Sequence, residues 1–144
     1  MTLTIQTITP ASFAPFGTVI AWSPELEESG RGFHVVMRSE APTGWRLAVS
    51  KVTARSLDHL AYHPDTAEMF APAEGCAVLL VAPLGDLDES AITAFCLDRA
   101  VSVAAGVWHG LVALSEQATV VIAENLDVQG VSESLSRPIG AELA

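Results

Sequence analysis

Short apolar runs separated by turn residues at intervals of roughly ten positions are the feature that most limits what this chain can become. The runs from Trp45 to Thr53, Ser56 to His63, Gly75 to Val81, Ala91 to Leu97, Ala100 to Val103, Val107 to Leu114 and Ala118 to Ala123 each have the length of a strand. Pro64-Asp65-Thr66 and the acidic Pro83-Leu84-Gly85-Asp86 break them. No stretch sustains the 3.6-residue periodicity of a long amphipathic helix. This pattern predicts an all-β chain, closed as a barrel or two-sheet jelly roll with one or two short helices. No internal repeat or low-complexity tract divides it, so residues 1–144 are expected to form a single domain.

The first part of the chain is less regular. Leu3 and Ile5 alternate with polar residues and suggest an opening strand. Thr9 can cap, and Pro10 can begin, a helix that Pro15 and Gly17 confine to a turn or two. Strand character returns from Thr18 to Trp22, an exposed acidic loop is expected from Ser23 to Gly32, and another strand from Phe33 to Met37. In the run that begins at Trp45, the residues Trp45, Leu47 and Val49 share one face, while Arg46, Ala48 and Ser50 share the other. The polar tail after Asp127 reads as a short helix or an arm.

Composition excludes several classes of function. Half of the residues are apolar and 17% are charged, which is a well-filled interior rather than a disordered chain. Seventeen acidic residues oppose seven basic ones, for a formal charge of −10, and such a field repels phosphate backbones, so no nucleic-acid partner is expected. The first residues lack a basic flank and a long apolar core, and no run is long enough to span a bilayer, so a cytoplasmic protein without a membrane partner is expected. Cys76 and Cys96 lie inside apolar runs and read as reduced thiols.

The residues suited to chemistry concentrate in two segments, His63 to Gly75 and Gly106 to His109. His63 and Glu68 would occupy opposite faces of one uninterrupted strand. The turn at Pro64-Asp65 removes that conflict, because it lets both side chains face one cavity. His109 shares its face with Val107 and Leu111, so its imidazole points into an apolar lining if Leu111 is core. Two imidazoles and a carboxylate can hold a divalent metal, or without one can serve as an acid/base set. His59 cannot join the same metal as His63, since four residues of strand span about 13 Å. Arg46 is the candidate for binding a substrate carboxylate through its planar guanidinium.

The spacing His63-x4-Glu68-x6-Gly75 resembles the second half of the first cupin motif, and Gly106-x2-His109 resembles the centre of the second. Three positions of those motifs are alanine here, namely Ala61, Ala104 and Ala113, so a metal would have at most three protein ligands: His63, Glu68 and His109. Over nearly the whole chain the sequence resembles the bacterial ureidoglycolate lyases, also described as ureidoglycolate hydrolases, a family of cupin-like jelly rolls. The resemblance is carried by Ile8 to Gly17, Phe33-His34, Trp45-Arg46-Leu47, His63-Pro64, Phe70-Ala71-Pro72 and Gly106 to His109. It implies release of urea and glyoxylate from ureidoglycolate in allantoin and purine catabolism, a homodimer, and nickel, manganese or another divalent ion as cofactor. Against the family pattern this chain has Glu68 for a glutamine, Gly110 for a histidine and Ala123-Glu124 for an aspartate-arginine pair. The alternative is a diverged or non-catalytic cupin that binds a metal or another small hydroxy or keto acid.

Overall fold

A computed structural model describes residues 2–140 and 142–144. Its strands form two sheets, a six-stranded one in the order β1-β7-β6-β9-β4-β11 and a five-stranded one in the order β2-β8-β5-β10-β3. The strands are β1 (Ile5–Gln6), β2 (Gly17–Val19), β3 (Trp45–Val52), β4 (Leu57–Tyr62), β5 (Glu68–Glu74), β6 (Ala77–Ala82), β7 (Thr93–Cys96), β8 (Val101–Val103), β9 (Trp108–Ala113), β10 (Ala118–Asn125) and β11 (Val131–Ile139).

The pairings are nested. β6 pairs β7, β5 pairs β8, β4 pairs β9 and β3 pairs β10, all antiparallel. Successive rungs fall alternately in the two sheets. One long double-stranded ribbon has thus been rolled on itself, which is the jelly roll that the strand spacing predicts.

The rolled ribbon encloses a core between the sheets built from Phe70, Leu79, Val81, Phe95, Val101, Val103 and Val120, all buried. A second cluster, with Leu60, Val78, Leu80, Trp108 and Val112, lies on the outer face of the six-stranded sheet. Every residue of β6 is buried. This is why Ala77–Ala82 reads as an unbroken apolar run rather than an alternating one. Gly75 makes the turn into β6 at φ +69°, where a Cβ would stand 2.2 Å from the Gln117 carbonyl oxygen.

The two short helices follow local capping chemistry. Helix α1 (Pro10–Phe13) has the Thr9 and Ser12 side chains capping each other's backbone N–H groups and proline in its first turn. Its Phe13 is buried edge-on against Phe95, with ring centroids 5.3 Å apart. Helix α2 (Pro24–Glu28) falls within the stretch expected to be loop. Ser23 caps it, Pro24 starts it and Glu25 and Glu27 sit in its first turn, a set of start signals that outweighs the polar composition.

Two further expectations are corrected. Phe33 to Met37 forms no strand; the segment is irregular and exposes Phe33, Val35, Val36 and Met37, and no strand among the described residues pairs with it. The tail after Asp127 is the nine-residue strand β11, which adds to the edge of β4 despite its polar sequence. An edge strand with one face in solvent needs few apolar residues, and Leu135 and Ile139 supply its buried contacts. Its Pro138 falls where the register with β4 is interrupted.

Candidate metal and active site

The nested ribbon brings the two chemical segments together. Ala61 of β4 lies directly opposite His109 of β9, so His63, just past the end of β4, comes to the same end of the barrel. The Gly106 N–H donates to the His63 carbonyl at 2.8 Å and ties the two segments at that point. After the turn at residues 64–67, Glu68 opens β5 opposite Val103 of β8. The turn is pinned from β10, whose Asn125 N–H donates to Thr66 Oγ1 at 3.1 Å.

His63, Glu68 and His109 converge as expected. Glu68 Oε2 is 2.8 Å from His63 Nε2 and 2.8 Å from His109 Nε2. Glu68 and His109 are buried, while the His63 side chain is 18% exposed and is the most accessible of the three. His109 packs edge-on against Phe70, with ring centroids 5.5 Å apart, and shares its inward face with Val107 and Leu111 of the core.

Both imidazoles are fixed from behind by carbonyl groups. His63 Nδ1 lies 2.9 Å from Gln129 O and His109 Nδ1 lies 2.9 Å from Val107 O. A carbonyl only accepts, so each Nδ1 carries the hydrogen, and each Nε2 of a neutral ring turns a lone pair toward Glu68. The 2.8 Å contacts are hydrogen bonds only when the rings are protonated. With neutral rings the buried Glu68 Oε2 has no donor at all. Burial pushes the Glu68 carboxyl upward, but the hydrogen bond and charge of His109, with those of His63, outweigh it and hold the group below the ordinary carboxylate value.

An orphaned carboxylate oxygen facing two lone pairs is a site that lacks positive charge. The three ligand atoms all lie within 4.8 Å of one another. A cation at about 2.0–2.2 Å from each donor sets neighbouring donors roughly 3 Å apart when its bonds are near perpendicular. The observed 2.8 Å separations fit that requirement, and the donor set of two nitrogens and one carboxylate suits a divalent metal. Backbone acceptors orient the ligand rings, the usual partners of metal-bound histidine. The alanines in place of cupin-motif residues limit the donor set to these three, and Ala61 stands across from His109 as a small side chain beside them.

Arg46 occupies the inner face of β3, on the side of the core residue Val52. Its guanidinium is not free. Nε and Nη2 both donate to Glu124 Oε1 on β10, at 3.0 and 2.6 Å, and the two residues are register partners. Glu124 is marked by the sequence only as a departure from the family's aspartate-arginine pair, and not as a partner of Arg46. Its parity with Val120 and Ile122 was the available signal, since those residues line the core.

Gly110 lies on the opposite face of β9 from His109. A Cβ there would meet Leu57 and Leu60 on the outer side of the sheet, so the family's histidine at this position is not a side chain removed from the trio. Trp108 and Tyr62 also face outward as packing residues, with ring centroids 4.6 Å apart, and the indole N–H donates to the Gly85 carbonyl. His59 is exposed beside Asp58, and His34 lies against Trp22, both away from the trio.

A family model described as ureidoglycolate lyase matches residues 1–138 of this chain. A protein of Burkholderia mallei (strain NCTC 10229) named ureidoglycolate lyase is 33% identical over 156 residues, covering 93% of this chain and 92% of the relative. One of the same name from Pseudomonas syringae pv. tomato (strain ATCC BAA-871 / DC3000) is 34% identical over 130 residues, covering 75% of this chain and 73% of the relative. Among solved structures, a dTDP sugar isomerase of Desulfovibrio desulfuricans G20 aligns at a TM-score of 0.47 and 15% identity, covering 72% of this chain and 71% of that one. With the family model matched almost from end to end and named relatives at one-third identity, the chain belongs to the ureidoglycolate lyase family.

Proposed function

We propose that the protein is a ureidoglycolate lyase that releases urea and glyoxylate, and that His63, Glu68 and His109 are its reaction centre. The observation that carries this reading is the trio at one end of the barrel, two of its members buried, in a chain matched over residues 1–138 by the family. The substrate joins a carboxylate, a hydroxyl and a urea nitrogen at one carbon. Cleavage takes the proton from the hydroxyl, breaks the C–N bond and gives the departing nitrogen a proton, so a single acid–base group balances the reaction.

His63, Glu68 and His109 would hold a divalent cation, nickel or manganese, which would acidify and orient the hydroxyl as a Lewis acid and template. Glu68 supplies the negative charge that retains positive charge in the site. Without a metal the three would instead serve as the acid/base set, with His63 the member most accessible to solvent, and Gln129 and Val107 keep both rings aimed at Oε2. Residues Val107, Leu111 and Phe70 exclude water from the inner side of His109.

We also propose a homodimer acting in the cytoplasm. Strand β3 is a free edge of the five-stranded sheet, and its outward Trp45, Leu47 and Val49 are 68%, 62% and 70% exposed. An eight-residue edge with three exposed apolar side chains and no proline suits antiparallel pairing with a second copy. The free thiols Cys76 and Cys96 support a reducing compartment. No helix among the described residues is long and apolar enough to cross a membrane.

The test is glyoxylate release from racemic ureidoglycolate by purified protein, after chelation and again after reloading with nickel or manganese. Turnover restored by metal is the expected result. Absence of turnover in both states refutes the assignment and leaves a cupin-like barrel that serves another hydroxy or keto acid.

A further inference from the structure

Among the described residues, two buried side-chain polar atoms have no hydrogen-bond partner, Oε2 of Glu68 and Oε2 of Glu124. The strand register makes them neighbours. β10 and β5 pair Ile122 with Phe70 and Ala123 with Met69, so the next step of the ladder sets Glu124 beside Glu68. Arg46 follows on β3 as the partner of Glu124, and Val103 on β8 as the partner of Glu68. Arg46, Glu124 and Glu68 thus form one row across the inner face of the sheet, with adjacent Cβ atoms about 4.5–5.5 Å apart.

The row has a definite donor and acceptor pattern. The Glu124 side chain is only 6% exposed, and Arg46 spends two N–H groups on Oε1, which leaves the buried Oε2 as a bare acceptor. Arg46 Nη1 makes no hydrogen bond among the described residues and remains a donor, on a side chain that is 49% exposed. A free carboxylate ligand would meet the charge of Glu124 at this position, and an alcohol would satisfy one atom and strand the other. A ureido group presents N–H donors beside a carbonyl acceptor and matches both. Buried acceptors left unpaired by the wrong ligand are what make such sites selective.

Resting on the lyase reading above, we infer that the Arg46–Glu124 pair is the specificity element of the site. Glu124 Oε2 accepts from the ureido N–H groups of the substrate, and Arg46 Nη1 donates to the ureido carbonyl. The hydroxy-acid end is left to the trio of His63, Glu68 and His109. Arg46 acts partly through Glu124, as a positioning residue that holds its carboxylate by one oxygen.

The test uses two unreactive probes of one shape, N-carbamoylglycine and succinamate, in which a methylene replaces the internal N–H. Their affinities are measured by calorimetry for the wild-type protein and for Glu124→Gln and Glu124→Asp, with turnover of ureidoglycolate followed separately. Wild type is expected to prefer N-carbamoylglycine by about tenfold or more, the scale of a hydrogen bond to a charged acceptor. Glu124→Gln is expected to bring the two probes within about threefold, and Glu124→Asp to restore part of the preference. A preference that survives in Glu124→Gln overturns the assignment of Glu124 and leaves the lyase reading intact. Equal binding of the probes, or binding of neither, by a wild-type protein that turns over ureidoglycolate also overturns it. If wild type turns over nothing and prefers neither probe, both readings fall together. Thermal unfolding of each variant identifies loss of fold, and Glu124→Asp keeps the question answerable if Glu124→Gln does not fold.

Discussion

Replacing Glu68 with glutamine changes one carboxylate oxygen to an NH2 group at nearly constant shape, and the site geometry predicts effects of opposite sign on metal binding and on stability. In metal-free protein with neutral imidazoles, Oε2 lies 2.8 Å from two Nε2 lone pairs and has no donor. Such an unsatisfied buried group costs about 1–3 kcal/mol, and the new amide can donate to one of the rings. Chelated Glu68→Gln protein at pH 8 should therefore be more stable than wild type by about 1–3 kcal/mol. For a chain of this length that raises Tm by roughly 3–10 °C. Nickel affinity should move the other way, by a hundredfold or more, on the order of 3 kcal/mol, since the only anionic ligand of the trio is gone. Circular dichroism melts in chelator and calorimetric titration with nickel measure both arms. A lower melting temperature for the chelated variant at pH 8 would mean that the rings already donate to the carboxylate. The inference of a missing cation would then be refuted, and unchanged nickel affinity would remove Glu68 from the ligand set.

Gly75→Ala should lose at least about 2 kcal/mol in urea unfolding, because the left-handed backbone at φ +69° adds to an overlap with the Gln117 carbonyl. The double variant Leu47→Glu, Val49→Glu places charge on the outer face of β3 and should halve the mass seen by light scattering; an unchanged mass removes this edge from the dimer interface. Glu89 accepts from the Ser136 hydroxyl and N–H, both at 2.7 Å, and these hydrogen bonds hold its carboxyl below the ordinary value. A depressed native value means that its stabilisation is present above the unfolded carboxyl value and is lost as pH falls through the native one. The stability gap between wild type and Glu89→Gln should therefore be open at pH 6 and close on acidification toward pH 3. A gap independent of pH would refute the assignment.

Strands β3, β4 and β6 to β10 were legible because each is a compact run closed by turn residues, and β6 was legible as a buried strand from its unbroken apolar composition, whereas β5, which carries Pro72, was not among those runs. His63, Glu68 and His109 were legible because the Pro64-Asp65 turn resolves the parity of the first two and His109 shares its strand face with Val107 and Leu111, which pack in the core. Parity also set Arg46 on the face opposite Trp45, Leu47 and Val49, but did not give its partner. Glu124 lies seventy-eight residues away from Arg46, and only strand register joins them. The Phe33 to Met37 segment misled in the other direction. Its composition is that of a strand, but a strand exists only where a neighbour supplies hydrogen bonds. In β11 that neighbour, β4, makes a strand of a polar sequence.

The nesting of the ribbon also orders events in time. Val81 meets Thr93, Phe70 meets Val101, Ala61 meets His109 and Ala48 meets Ile122, so each rung spans a longer stretch of chain than the one inside it. Once an inner rung has closed, each doubling of loop length adds only about 0.6 kcal/mol of closure entropy. The barrel is thus expected to zip outward from the β6–β7 hairpin, with the histidine-bearing rung closing late. A cation bound by His63, Glu68 and His109 would then slow the opening of the finished barrel and leave the first steps of its closure untouched, and stopped-flow unfolding and refolding with and without nickel would register that asymmetry.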